Sequence, residues 1–261
     1  MITAAANGTV AASPRTPALS RDVAMRLAAR EYELFIAQLR ELSADDWSRP
    51  TACPEWDVHA MACHALGMAE MAASVPEMLR QMRAARRAGG LFIDALTALQ
   101  VEKHLARSHS DLVARFAEVA PRAAAGRRRT RGQVRRVRLA DQPLDDRGEE
   151  TETWTLGFLI DVILTRDPWM HRSDIAIATG RAMELTPEHD GVLVADVAAE
   201  WAARHGQPCT LSLTGPAGGT WMFNARAAGE PAHHELDAVD FCRILSGRGS
   251  GGGALATRVP F

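Results

Sequence analysis

Asp167 and His171 stand four residues apart in WTLGFLIDVILTRDPWMHRSDIAIATG, residues 154–180, where the periodicity predicts a helix. At about 100° per residue, Leu156, Leu159, Ile160, Ile163, Leu164, Asp167, His171, Asp174, Ile175 and Ala178 share one face. Two carboxylates and an imidazole therefore interrupt an apolar stripe. Buried ionisable groups are expensive unless paired, hydrogen-bonded or bound to a cation. The spacing of Asp167 and His171 projects both side chains into the same space. A second imidazole, His64, lies on the apolar face of an earlier predicted helix with Ala60, Met61, Met68 and Met71. Alone it reads as a core histidine held by one hydrogen bond; beside Asp167 and His171 it supplies a third ligand. Two histidines and one carboxylate from facing helices leave a coordination position open, as in catalytic zinc sites, and the set also suits ferrous iron or nickel. Asp174, three residues after His171, is expected to steady that histidine without touching the metal. Pro168 leaves two possibilities, a kinked helix or one that restarts with Asp167 as its N-cap.

The elements that must position these residues follow in chain order. Residues 1–20, small and proline-containing, read as a disordered tail without the pattern of a signal peptide. Residues 21–42 predict an amphipathic helix capped by Ser20 or Asp22. A loop carrying Trp47 and Trp56 leads to Asp57, the expected N-cap of the helix that bears His64 and ends near Ser74, with Pro76 marking its end. Residues 91–125 predict helix with a break at Ser108 to Ser110. His104 and His109, five apart, share no face and read as solvated. The arginine-rich residues 126–139 lack interleaved aromatics and precede an acidic run, so they read as a solvated loop rather than a nucleic-acid arm. Arg166 and Arg172 read as surface residues or as partners of Asp174 and Glu152. Beyond Gly180 the texture changes to a helix opened by Pro187, a hairpin of CTLSLTG and TWMFN, and a last amphipathic helix starting near Asp237. Four antiparallel helices would enclose the site, over residues 21–182, and residues 183–261 would form a small α/β domain.

The 261 residues suffice for one large core or two modest ones, and a net charge of −2 exerts no global pull toward nucleic acid or membrane. The longest apolar run is broken by Asp161 and too short to span a bilayer. Cys53, Cys63, Cys209 and Cys242 show no metal-binding spacing and fit a reduced, cytoplasmic protein.

Three segments, PTACPEWDVHAMACHALG, TRDPWMHRSDIAIATGR and DAVDFCRILSGR, together resemble the mycothiol-dependent maleylpyruvate isomerase family of actinobacteria, and the likeness runs from about residue 21 onward. The resemblance implies an α plus small α/β architecture, a DinB-like four-helix bundle followed by a domain similar to sterol carrier proteins. It implies that His64, Asp167 and His171 bind a divalent metal, most simply zinc, with Asp167 standing where the family commonly has glutamate. It also implies an active-site arginine from the C-terminal domain, for which Arg248 and Arg243 are the candidates. The implied activity is a metal- and mycothiol-dependent isomerase or S-transferase acting on a small electrophile. A non-catalytic, metal-containing binding or resistance protein is the alternative, because architecture alone does not fix activity.

Overall fold

The computed structural model describes residues 13–140, 142–143 and 151–261; residues 1–12 lie outside the described residues. Helix α1, Arg21–Arg40, is capped by Ser20, whose side chain accepts from the Val23 amide. Helix α2, Val58–Ala73, starts at Asp57, whose carboxylate accepts from Ala60 N. Ser74 then caps a further helix, α3, Val75–Ala88. Pro76, expected to mark the end of α2, sits instead in the first turn of α3, where its missing N–H costs nothing. Helices α4, Phe92–His104, and α5, His109–Arg129, are separated at the expected break, with Ser108 as the cap of α5. A short α6, Gly132–Arg135, precedes a two-stranded ribbon of β1, Gln142–Pro143, and β2, Thr151–Glu152.

The segment bearing Asp167 and His171 comprises α7, Leu156–Phe158, a wide π turn at Leu159–Ile163, and α8, Leu164–Thr179, which ends at left-handed Gly180. The π turn rotates the helix out of simple register. The single stripe expected from residue 156 onward is thereby divided: Leu159 and Ile163 pack with Trp154 and Phe158, Ile160 against Ala24 and Met25, and Ile175 in the core of α1, α2 and α5. Helices α1, α5, α2 and α8 contact one another in a closed ring, and α3 and α4 pack outside α2. Tyr32, Phe35, Met61, Leu66, Leu112 and Phe116 fill the ring's interior.

After a π turn at Pro187–Gly191 come α9, Val192–His205, the hairpin β3, Cys209–Thr214, and β4, Gly219–Phe223, then β5, Ala232–Asp237, and α10, Ala238–Leu245. The strand order is β4-β3-β5; β4 is antiparallel to β3 and β5 parallel to it. The sequence pattern predicted the hairpin but not β5, whose AHHELD carries no apolar alternation. The molecule is thus mostly helical with a small three-stranded sheet. One core unites α9, α10 and β3 with Leu27 of α1 and Trp169 and Met170 of α8. Buried ion pairs cross the same junction: Arg166 meets Asp196 and Glu200, and Arg172 meets Glu31 and Asp190. Neither arginine lies at the surface or pairs with Asp174 or Glu152, since each is drawn in by carboxylates from elements distant in sequence.

Within residues 13–20, assigned to a tail by composition, Arg15 pairs with the backbone of Thr153 and Thr155 and bonds Glu152. The arginine-rich stretch is likewise integrated. Arg127 is buried, and Arg135 pairs with buried Asp161. His104 is fully buried against Glu70 at 3.2 Å, so the solvated reading fails there: the carboxylate that receives it comes from α2, out of reach of any local pattern. His109 stacks on Trp47 at 4.4 Å. Among the described residues, no helix is long and apolar enough to cross a membrane.

Candidate metal centre

Pro168 governs the local geometry of the site. Its ring removes the N–H that would bond the Leu164 carbonyl one turn back. That carbonyl accepts instead from Arg127 Nη1 at 2.9 Å, while Arg127 Nε and Nη2 donate to the Ile160 carbonyl in the π turn at 2.9 and 2.6 Å. Helix α8 consequently runs from Leu164 through Pro168 without restarting at Asp167, and the Asp167 carboxylate turns inward.

There it meets both imidazoles. Asp167 Oδ2 lies 3.5 Å from His64 Nε2, and Oδ1 lies 3.4 Å from His171 Nε2. One ligand atom from each of the three residues falls within 4.8 Å of the others. The two rings are perpendicular, with centroids 5.3 Å apart, and Trp56 packs against both. Tetrahedral zinc with bonds of about 2.0–2.1 Å would separate its ligand atoms by roughly 3.3 Å, and the spread of up to 4.8 Å seen here requires the side chains to draw in modestly around an ion. Asp167 Oδ2 is buried and has no hydrogen-bond partner, a setting whose donor chemistry suits a cation. The His64 and His171 side chains are 3% and 5% exposed, whereas Asp167 is 21% exposed and borders a small hollow shared with Tyr32, Ala65, Met68, Leu164 and Pro168. The accessible side of the trio is therefore the carboxylate side.

Each imidazole is gripped from behind. His64 Nδ1 faces Gln100 Oε1 at 2.8 Å, and His171 Nδ1 faces Asp174 Oδ2 at 3.4 Å. Asp174 is itself fully buried and receives Arg243 Nη1 at 2.7 Å and Arg248 Nε at 2.9 Å. Burial alone would raise the Asp174 carboxyl, but the His171 contact and the Arg248 charge hold it below its usual range. Asp167 is also lowered: burial opposes ionisation, and the adjoining His171 and His64 outweigh it. Burial pushes His171 down, yet the carboxylates of Asp167 and Asp174 on either side raise it to about 9. The pocket thus recruits positive charge, and a divalent cation would compete with the His171 proton for it.

All six residues singled out in the sequence come together. His64, Asp167 and His171 form the trio, Asp174 buttresses His171, and Arg243 and Arg248 converge on Asp174. Cys53, whose Sγ lies 3.9 Å from Arg248 Nη2, forms a second potential ligand group with His171 and Asp174 and was missed. Burial raises its thiol, with the Arg248 charge opposing. Gln100 and Arg127 were missed as well, because only the tertiary fold brings α4 and α5 to these atoms.

The model of the mycothiol maleylpyruvate isomerase N-terminal domain matches residues 28–176. The chain belongs to that family. Two solved structures resemble it: the mycothiol-dependent maleylpyruvate isomerase, and a histidine-to-alanine mutant of it. Both are 16% identical with a TM-score of 0.54; the former aligns over 90% of this chain and 92% of its own, the latter over 89% and 91%. At this identity the likeness establishes the fold. No curated protein matches the chain in sequence.

Proposed function

We propose that the protein is a metal-dependent enzyme using a low-molecular-weight thiol, mycothiol, to isomerise a small electrophile in the manner of maleylpyruvate isomerase, or to transfer the thiol to one. The observation that carries this reading is the convergence of His64 Nε2, Asp167 and His171 Nε2, with Asp167 Oδ2 buried and without a hydrogen bond. In this reading α1, α2, α5 and α8 are the DinB-like four-helix bundle of residues 21–182, and residues 183–261 are the unit akin to sterol carrier proteins. Mycothiol comes from the family and from the solved relatives' own description. A divalent cation held by the trio, most simply zinc, would supply Lewis acidity that favours thiolate at neutral pH.

The protein's own groups divide the remaining work. Asp174 fixes the His171 ring so that Nε2 faces the trio. Trp56 covers the imidazoles and limits water around them. Arg243 and Arg248 spend one donor edge each on Asp174, and their other edges are suited to a substrate carboxylate, which guanidinium binds bidentately. Thiolate adds to the activated double bond of the substrate and leaves an enolate; rotation about the resulting single bond and expulsion of the same thiolate as the double bond re-forms complete an isomerisation, while protonation of the enolate by solvent with the C–S bond kept gives the transferase outcome.

The test is turnover of maleylpyruvate, then of a panel of small electrophiles, by the zinc-loaded protein with mycothiol. The expected result is turnover that requires both metal and thiol. Metal-loaded protein that neither turns over any substrate nor binds the thiol by calorimetry would favour a sequestering protein instead.

A further inference from the structure

A buried chain of side-chain amides runs behind His64. Gln100 Nε2 donates to Gln81 Oε1 at 2.9 Å, and Gln81 Nε2 donates to the Gly67 carbonyl at 3.1 Å and to Glu77 Oε1 at 2.9 Å. Gln81 and Gln100 are both fully buried. The direction of this chain is fixed at its far end. The Gly67 carbonyl is only an acceptor, and Glu77 is a carboxylate, held down to about 2 mainly by its bonds from Arg80, with Lys103 assisting. Gln81 must therefore present its NH₂ to them and its oxygen to Gln100. Gln100 must then give its NH₂ to Gln81 and its oxygen to His64. Reversing Gln81 sets oxygen against oxygen at the Gly67 carbonyl and at Glu77, and reversing Gln100 alone sets its oxygen against that of Gln81, inside a dry core where unsatisfied polar atoms are costly.

We infer that the Glu77–Gln81–Gln100 chain is a positioning device that dictates the tautomer of His64, keeping the proton on Nδ1 and the Nε2 lone pair aimed at the ligand trio. Gln100 touches no substrate and acts through His64. Gly67 makes the arrangement possible: a Cβ there would come within 2.6 Å of Gln100 Cβ and Cγ, so glycine lets α4 approach α2 closely enough for the 2.8 Å contact to His64. His171 is oriented by a carboxylate, His64 by a neutral amide whose polarity is imposed from a charge two side chains away. The metal-binding consequence rests on the function proposed above; the proton position on His64 does not.

The experiment uses the full chain with nitrogen-15-labelled histidine. In metal-free wild-type protein, imidazole nitrogen spectra are expected to show His64 Nδ1 bearing a proton. A His64 with unprotonated Nδ1 and protonated Nε2 overturns the inference, whether or not the protein binds metal. Zinc affinity is then measured by chelator competition. Gln100→Met is expected to weaken it about 10–100-fold and to release the tautomer preference. Gln100→Glu retains an acceptor facing Nδ1 and, as the neutral acid that this dry core favours, an O–H to donate to Gln81 Oε1, so it is expected to keep the tautomer and to bind zinc more tightly than Gln100→Met. Unchanged tautomer and affinity in Gln100→Met, or loss of Nδ1 protonation in Gln100→Glu, contradicts the inference. Should Gln100→Met not fold, the wild-type spectrum and Gln100→Glu decide it. A wild-type protein that binds no zinc but shows the Nδ1 proton supports the positioning chain and contradicts only the metal assignment.

Discussion

Replacing Asp174 with asparagine removes one negative charge from the junction between the ligand trio and the C-terminal unit while preserving size. The wild-type carboxylate is fully buried and receives Arg243 Nη1 at 2.7 Å, Arg248 Nε at 2.9 Å, and His171 Nδ1 at 3.4 Å. Asparagine offers one oxygen and turns an NH₂ toward donors, so at least one guanidinium faces a donor. Breaking a buried ion pair from one side costs about 3–5 kcal/mol. The arginines here are 12% and 18% exposed, so water can reach them, and the lower end, about 3 kcal/mol, is expected. His171 also loses its orienting anion, and zinc affinity should fall about 10–100-fold. Denaturant unfolding of the zinc-free protein gives the first quantity and chelator competition the second. A stability change within about 0.5 kcal/mol of wild type, the range of an ordinary surface substitution, together with unchanged zinc affinity would refute the reasoning.

Arg127→Met leaves the carbonyls of Leu164 and Ile160 without their donor, and an unsatisfied buried acceptor costs about 1–3 kcal/mol, so a loss of at least that size in denaturant unfolding is expected. Gly67→Ala drives a methyl into Gln100 and should destabilise the fold by about 1–3 kcal/mol while weakening zinc binding, both read from the same titrations. Glu77 is held at about 2 against an ordinary 4.5, so its contribution is present above about pH 4.5 and is lost as pH falls toward 2. The stability gap between wild type and Glu77→Gln should accordingly be constant near neutrality and close across that acid window in unfolding curves taken at each pH.

The trio was legible because helical periodicity converts a spacing of four into proximity, and because His64 broke an otherwise apolar stripe. The caps at Ser20, Asp57 and Ser108 were legible for the same local reason, and the β3–β4 hairpin showed its alternation. Other features depend on partners far away in sequence. Pro76 read as a terminator and is the first turn of another helix; a proline marks a boundary without saying on which side the helix lies. His104 and Arg127 read as solvated because Glu70 and the carbonyls they satisfy belong to other helices. The π turn at Leu159–Ile163 has no signature in the pattern and divides what looked like one continuous stripe. Arg243 and Arg248 were drawn from motif resemblance alone, and the physical reason for their position, the single buried charge of Asp174, emerges only when α8 and α10 are packed together.

The most direct test of the account is the metal content of freshly purified full-length protein, measured by elemental mass spectrometry beside His64→Ala and His171→Ala, with circular dichroism confirming that each variant is folded. The ligand geometry predicts one equivalent of a divalent metal, most simply zinc, in wild type, none in His171→Ala, and a strong loss in His64→Ala. Full metal content in both folded variants would contradict the assignment of His64, Asp167 and His171 as the metal centre.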